Sequence, residues 1–555
     1  MSSTSVGHSV ARAAGLIAVA TLLARVAGFV RTLVFSHSAG TTGVGDVYQT
    51  VNTLPNVVYE VAAGGVLAAV AVPLVAGQLG AGRPHDADRI ASALLGWAVA
   101  VLLPASVLLA LLAPWLSRLL LGGHATAAEV DLGSHMLVLF APQVLLYGVG
   151  IVLSGVLQAH RRFLAAALAP LLSSLVVIAS YLAYAGLAGS SSSPAQVPDA
   201  AVWALAGGTT LGVVVLSLPL LVPVLRAGVS LRPTLTFPPG VARRAGSLAG
   251  AGVLALAAQQ AAVFVTLWLT HHRTHDVGTV NVYSYVQAVY LLPYAVLAVP
   301  IAMSAFPALA HSAAAGGEAA EATTGTVARS LQGILLLTAG AAAVLVAVAG
   351  PVGDFFTTLD AGAHSGGGDA LTALPAALAA YAPGLVGFSV AALLTRALYV
   401  RGRPLYAALA VAGGWAVAAL LPLVLLSEGS TAAQTLGSLG VGSSVGMLLS
   451  GAALALLVRR AWGPAVLHGC GRTLGAAVVA VAVAMGIGDT MAHGLRSDSL
   501  WGALAGGVAV AVLTTGVYLG VMMVADRGSM RAVLERGRRR RRGSRGSRGS
   551  REGAA

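Results

Sequence analysis

The chain reads as an all-α integral membrane protein of about fourteen transmembrane helices, arranged as two six-helix lobes around a central cavity plus two C-terminal helices. Three observations carry that reading. Of 555 residues, 57% are hydrophobic and 9% charged, against roughly 25% charged in a soluble domain. The mean hydropathy is +0.85, and apolar runs long enough to cross hydrocarbon recur along almost the whole length. A short arginine-bearing segment near residue 160 is repeated about one half-chain later.

In order, the apolar runs predict spans at 13–35, 45–75, 88–117, 132–158, 163–187, 200–225, 245–270, 279–309, 327–350, 371–398, 404–427, 434–458, 466–487 and 500–525. The first is read as a retained helix behind a short N-terminus, 1–12. Its apolar run continues to Phe35 and holds two arginines, unlike a cleaved leader. The second and eighth spans contain Pro55 and Pro73, and Pro293, Pro300 and Pro307, so each is expected to bend rather than divide. The lobes are then 13–226 and 241–427, with the twelfth span running on to 458, helices thirteen and fourteen in 466–525, and a tail from 526 to 555.

Arginine placement sets the expected orientation, because positive charge near helix ends stays cytoplasmic. Loops after even-numbered spans carry Arg83, Arg89, Arg161, Arg162, Arg226, Arg232, Arg243, Arg244, Arg329, Arg401, Arg403, Arg459, Arg460 and Arg472. Loops after odd-numbered spans carry Arg118, Arg273 and Arg496 among acids such as Asp131, Asp199, Asp354, Asp360, Asp369 and Asp489. Both termini are therefore expected in the cytoplasm. The tail holds eleven arginines, including the run 538–542. It cannot pack a core and is read as a disordered basic segment near anionic lipid, with no nucleic-acid partner.

Leu157–Ala169 reads LQAHRRFLAAALA and Leu398–Ala410 reads LYVRGRPLYAALA, identical at seven of thirteen positions with an offset of 241. The dipeptide Leu54-Pro55 recurs at Leu292-Pro293, offset 238. Six spans lie between copies, so both halves enter the membrane in the same sense, and the halves relate by an axis along the membrane normal.

Composition also excludes chemistries. Cys470 is the only cysteine, so no internal disulfide or cysteine metal cluster forms. All 32 basic side chains are arginine, which rules out a Walker A lysine and a Schiff base. Energy must come from an ion gradient, the membrane potential or another subunit. No catalytic constellation stands in any hydrophilic segment, and no metal or cofactor is expected. His271, His272, His275 and Asp276 read as a solvated loop rather than a metal site.

Ionisable groups within spans are costly and face an aqueous cavity by default. Arg25 and Arg31 lie in the first helix and Asp46 opens the second. Gln49, Asn52, Asn56 and Glu60 follow at steps of three, four and four, one face of a helix. The eighth span mirrors them with Tyr283, Gln287, Tyr290 and Tyr294. Each stripe is either interhelical glue or the lining of a substrate path, and the matching positions in the two halves favour the path.

The stretch Ala24-Arg25-Val26-Ala27-Gly28-Phe29-Val30-Arg31, then Gly45-Asp46-Val47-Tyr48, Leu54-Pro55-Asn56 and Ala71-Val72-Pro73-Leu74 resembles the MurJ/MviN family, within the multidrug/oligosaccharidyl-lipid/polysaccharide exporter superfamily. The resemblance implies fourteen spans, two lobes and a flippase for lipid II, the undecaprenyl-diphosphate-linked peptidoglycan precursor, in the bacterial cytoplasmic membrane. It places Arg25, Arg31 and Asp46 on functional cavity positions. The family continues after its LPN motif with two apolar residues and an arginine pair, where this chain reads Val57-Val58-Tyr59-Glu60. In the eighth span the family offers an Asp-Arg pair, where this chain has Gln287-Ala288.

The expectation is alternating access to a lipid-linked anionic substrate. Arg25 and Arg31 would meet the diphosphate, the polar stripes the headgroup, and Asp46 and Glu60 would couple transport to a monovalent cation or the membrane potential. Membrane lipids and cell-wall synthesis proteins are the expected partners. Two alternatives remain open: a cation-coupled exporter of another lipid-linked oligosaccharide, drug or metabolite, and a non-transporting envelope-synthesis scaffold.

Overall fold

The computed structural model describes residues 3–61, 68–189, 193–232, 234–237, 241–274, 276–304, 318–361, 368–495, 497, 499–528 and 530. The arginine run 538–542 of the tail, His275 and Pro307 lie outside the described residues. The helices are α1 (Ser3–Ser38), α2 (Gly43–Glu60), α3 (Ala68–Gly80), α4 (Pro84–Leu111), α5 (Ala113–Leu121), α6 (Ala127–Ala159), α7 (Phe163–Ala188) and α8 (Asp199–Leu225). They continue with α9 (Val241–His272), α10 (Thr279–Ser304), α11 (Glu318–Ala347), α12 (Ala349–Asp360), α13 (Gly368–Thr372), α14 (Leu374–Tyr381) and α15 (Gly384–Val400). The last are α16 (Pro404–Leu425), α17 (Ala432–Trp462), α18 (Cys470–Gly494) and α19 (Leu500–Ala525).

Among the described residues, 12 helices are long and apolar enough to cross a membrane, or 13 if α13–α14 and α15, bent by 48° at Pro383, form one span. The all-α membrane architecture stands, and the expected count of fourteen differs at one place, 45–75. There α2 is diluted by its polar face, α3 is short, and residues 62–67 between them lie outside the described residues. Pro293 is followed by a π turn, Tyr294–Ala298, which accommodates the missing amide without ending α10.

Local signals explain several boundaries. Thr42 caps α2, its hydroxyl accepting from the Gly45 amide at 3.0 Å. Thr126 and Glu129 form a reciprocal capping box at the start of α6. The repeated segments fold alike. Arg162 N donates to Leu157 O (2.8 Å) and Arg161 N to Gln158 O (3.0 Å), while Arg403 N donates to Leu398 O and Gly402 N to Tyr399 O, both at 3.0 Å. A third copy that the sequence comparison missed ends α3, where Arg83 N donates to Gln78 O (3.0 Å) and Gly82 N to Leu79 O (3.1 Å). Each turn closes the orphan carbonyls of one helix and places an arginine before the next.

Two compact units divide the chain. The first comprises Met1–Ala288, Phe356–Leu374 and Pro422–Leu436, and the second Val289–Phe355, Pro375–Leu421 and Gly437–Ala555. This grouping cuts across the sequence halves, since α9 clusters with the first unit. The first unit is built on Tyr48, whose ring packs with Phe35 and Phe140 and whose hydroxyl meets Tyr181 Oη at 2.9 Å and Thr209 Oγ1 at 2.8 Å. An aliphatic cluster of Val75, Ile90, Leu94, Leu153, Val156 and Leu157 lies nearer the arginine turns. In the second unit, Leu331, Ile334, Leu393, Leu394, Leu454 and Val458 form one core, and small residues let Ala339 and Ala343 approach Ala477, Ala480 and Ala484 in another.

Candidate functional site

Within the first unit, α1, α2, α6, α7, α8 and the start of α10 enclose a cavity of about 470 Å³. Helix α2 supplies Tyr48, Gln49, Asn52, Asn56 and Tyr59, so its polar face turns inward. Gln49 Nε2 donates to Ser284 Oγ at 2.7 Å. Asn56 donates to the Asn52 carbonyl oxygen (2.8 Å) and accepts from Tyr147 Oη (3.0 Å). Asn52 Oδ1 is buried and has no hydrogen-bond partner among the described residues. Arg31 is the only charged side chain of the lining. It is exposed and forms no ion pair or hydrogen bond among the described residues, so its five donors are open to a ligand.

A second chamber, of about 360 Å³, adjoins the first. The two share Tyr59, Tyr147, Pro170 and Leu216 as a wall, in which the two tyrosine rings pack at 4.4 Å between centroids. Its lining includes Ser154, Gln158 and one charged side chain, Glu60. The alanine and glycine positions of α6 and α7 keep this chamber open, with Gly150, Gly155, Ala166 and Ala169 contributing little bulk.

At the end of the first unit away from the arginine turns, segments remote in sequence interlock. Asp360, 2% exposed, accepts from Thr41 N at 3.0 Å and Thr41 Oγ1 at 2.7 Å. Asn281 Nδ2 donates to Gly40 O at 2.9 Å. Asp46 Oδ2 lies 3.9 Å from His271 Nδ1, and His271 Nε2 meets Thr50 Oγ1 at 2.7 Å. Asp276 Oδ2 accepts from Ala432 N at 2.7 Å. His271 and His272 therefore do not lie in a solvated loop. His271 is packed against α2 because its two ring nitrogens find partners there, and His272 stacks on Trp268 at 4.7 Å. Among the described residues no group of three histidine, cysteine or acidic side chains has metal-binding geometry.

The sequence-predicted residues thus fall in different places. Arg31, Gln49, Asn52 and Asn56 line the first chamber, Glu60 the second, and Asp46 the interlocked end. Arg25 is exposed, one heptad before Thr32 on the same stripe of α1, beyond the lining. From α10 the lining takes Ser284 and Tyr285 rather than Tyr283 and Gln287. Tyr290 belongs to the second unit, where its ring packs 5.6 Å from Tyr381, and Tyr294 packs 4.5 Å from Phe388. Sequence reasoning missed Tyr147, Tyr181, Ser173 and Ser174. The seven-residue spacing of Ser174 and Tyr181 on α7 was a usable signal, masked by the apolar background.

A family model described as the lipid II flippase MurJ matches residues 35–498. A curated relative from Rhizobium tropici, a probable lipid II flippase MurJ, is 28% identical over 426 residues, covering 75% of this chain and 76% of the relative. Among solved structures, a lipid II flippase MurJ in an inward closed conformation aligns with a TM-score of 0.68 at 15% identity, over 92% of this chain and 98% of the other. An inward-facing multidrug-resistance MATE transporter of the MOP superfamily aligns at 0.61 and 16% identity, over 80% and 94% of the two chains. At such identities the structural likeness concerns the fold.

Proposed function

Because the chain belongs to the MurJ lipid II flippase family, we propose that it carries lipid II across the bacterial cytoplasmic membrane, as a transporter and not as a catalyst. The observation that carries this reading is Arg31, an unpaired guanidinium facing a polar cavity inside a membrane bundle. A diphosphate brought there must exchange its water for charge-assisted donors, and a guanidinium supplies them as a planar fork. Asn52, Asn56, Tyr147 and Ser174 provide neutral partners around it, suited to sugar hydroxyl and amide groups.

Movement then follows alternating access, with the two sequence halves, 13–226 and 241–427, which are related by an axis along the membrane normal, tilting against each other so that the cavity opens to one face at a time. The arginine turns face the cytoplasm together with both termini. The interlocked end made by Thr41, Asp360, Asp46 and His271 closes the outer side while the cavity loads. Cation uptake or the membrane potential resets the cycle, with Asp46 as the coupling carboxylate. Cell-wall synthesis proteins downstream consume the delivered substrate.

The test is depletion of the chain in its bacterium, with lipid II on the outer leaflet measured after complementation by the wild type, Arg31→Ala, Arg31→Lys or Arg25→Ala. Arg31→Ala should lower export by at least about tenfold, the scale of a lost charge-assisted contact, with Arg31→Lys between. Normal export by both Arg31→Ala and Arg25→Ala overturns the diphosphate assignment.

A further inference from the structure

We infer that Glu60 selects substrates whose headgroup carries an ammonium group as well as a diphosphate, an inference that rests on the flippase reading above. The two chambers carry opposite single charges, Arg31 in one and Glu60 in the other. Neither has an ion pair or hydrogen bond among the described residues. Both side chains are exposed within their chambers, so each is free to meet a ligand of opposite sign, and ionisable groups within membrane spans characteristically mark substrate paths.

Helix α2 sets the spacing. Asn52, Asn56 and Glu60 follow at steps of four on one face, so Glu60 stands roughly 12 Å along the axis from Asn52, which lies in the chamber of Arg31. A ligand reaching from the level of Asn52 to Glu60 therefore spans about a nanometre along α2. The surroundings of Glu60 suit an ammonium. Tyr59 and Tyr147 offer ring faces at the shared wall. Gln158 Nε2 donates to Ser154 Oγ at 3.1 Å, which leaves the Gln158 carbonyl oxygen as a second acceptor. Among the described residues no other charged side chain lines this chamber to compete. The ammonium can sit on a peptide or on an amino sugar of the headgroup, and the chamber chemistry is the same for both.

The full-length chain in lipid vesicles distinguishes these sources, with transbilayer movement measured for two matched pairs. One pair is lipid II with a free amine on its peptide and the same molecule acetylated there. The other is a lipid-diphosphate disaccharide without peptide, bearing either a free or an acetylated sugar amine. For at least one pair the wild type should move the free amine about three- to tenfold faster, the scale of one partly exposed charged contact. That ratio should fall to about one in Glu60→Gln and persist in Glu60→Asp, which keeps the charge and guards against simple misfolding. Equal rates within both pairs for the wild type, or a ratio that survives in Glu60→Gln, overturns the inference while leaving the flippase reading intact. No movement of any of the four overturns the flippase reading, and the inference with it.

Discussion

Arg161 and Gly402 hold the same left-handed backbone position, at φ of 59° and 68°, in two turns related by the sequence repeat. Arg161 is the only non-glycine residue with positive φ among the described residues, so one turn carries a strain that the other avoids. Arg161→Gly should raise the thermal unfolding midpoint in detergent, by relief of about 1 kcal/mol. Gly402→Ala should lower it by a similar amount. Shifts of the same sign would break the equivalence of the turns.

Asp360 joins the interlocked end through both carboxylate oxygens, and Gly40 leaves room for it. A Cβ at Gly40 would collide with the Asp360 carboxylate, and the residue is left-handed at φ +54°. Asp360→Asn should cost about 1–3 kcal/mol of stability, because the charged acceptor that serves both Thr41 donors is lost. Gly40→Ala should cost at least as much, and Thr41→Ser, which keeps the hydroxyl, less than about 1 kcal/mol. Unfolding midpoints of the three purified variants give the order.

Thr50 and His271 are coupled by one partly buried hydrogen bond. Thr50→Val strands His271 Nε2 and should destabilise by about 1–3 kcal/mol, whereas in His271→Leu the Thr50 hydroxyl keeps its bond to Asp46 O at 2.8 Å, so the loss through this contact should be smaller. The double variant should cost less than their sum by about 1 kcal/mol or more, read from a double-mutant cycle. Strict additivity would show that the pair contributes nothing.

The chambers should differ in accessibility. Cys470 is buried and is the chain's one cysteine, so Cys470→Ala provides a clean background. A membrane-impermeant thiol reagent applied from the side of the arginine turns should label Gln158→Cys faster than Asn52→Cys, because the tyrosine wall lies between them. It should fail to label Val510→Cys, whose position is fully buried. Faster labelling at position 52 would contradict the order of the chambers.

The helical membrane architecture and nearly every span were legible because bilayer thickness dictates apolar length directly. The exception, 45–75, fails for the same reason that it is informative: Gln49, Asn52 and Asn56 lower its hydropathy in order to line a cavity. Helical periodicity alone could place these residues on one face and could not say what faced them. It also misjudged α10, where Ser284 and Tyr285 point to the chamber beside the bulkier polar stripe that was expected to do so. The pairing of Asp46 with His271 joins residues more than two hundred positions apart, and no local pattern encodes it.

The ring pair Tyr59–Tyr147 stands where the two chambers meet, so anything that passes from one to the other has to part it. Parting it forfeits one aromatic contact and the hydrogen bond to Asn56, about 1–3 kcal/mol together. A cost of that size would leave the pair closed most of the time and still let it part by thermal motion. A lone ion or small solute would gain too little on the far side to hold it ajar, whereas a long amphiphile reaching into both chambers would prop it open. Size discrimination and resistance to leakage would then arise from the same two phenols.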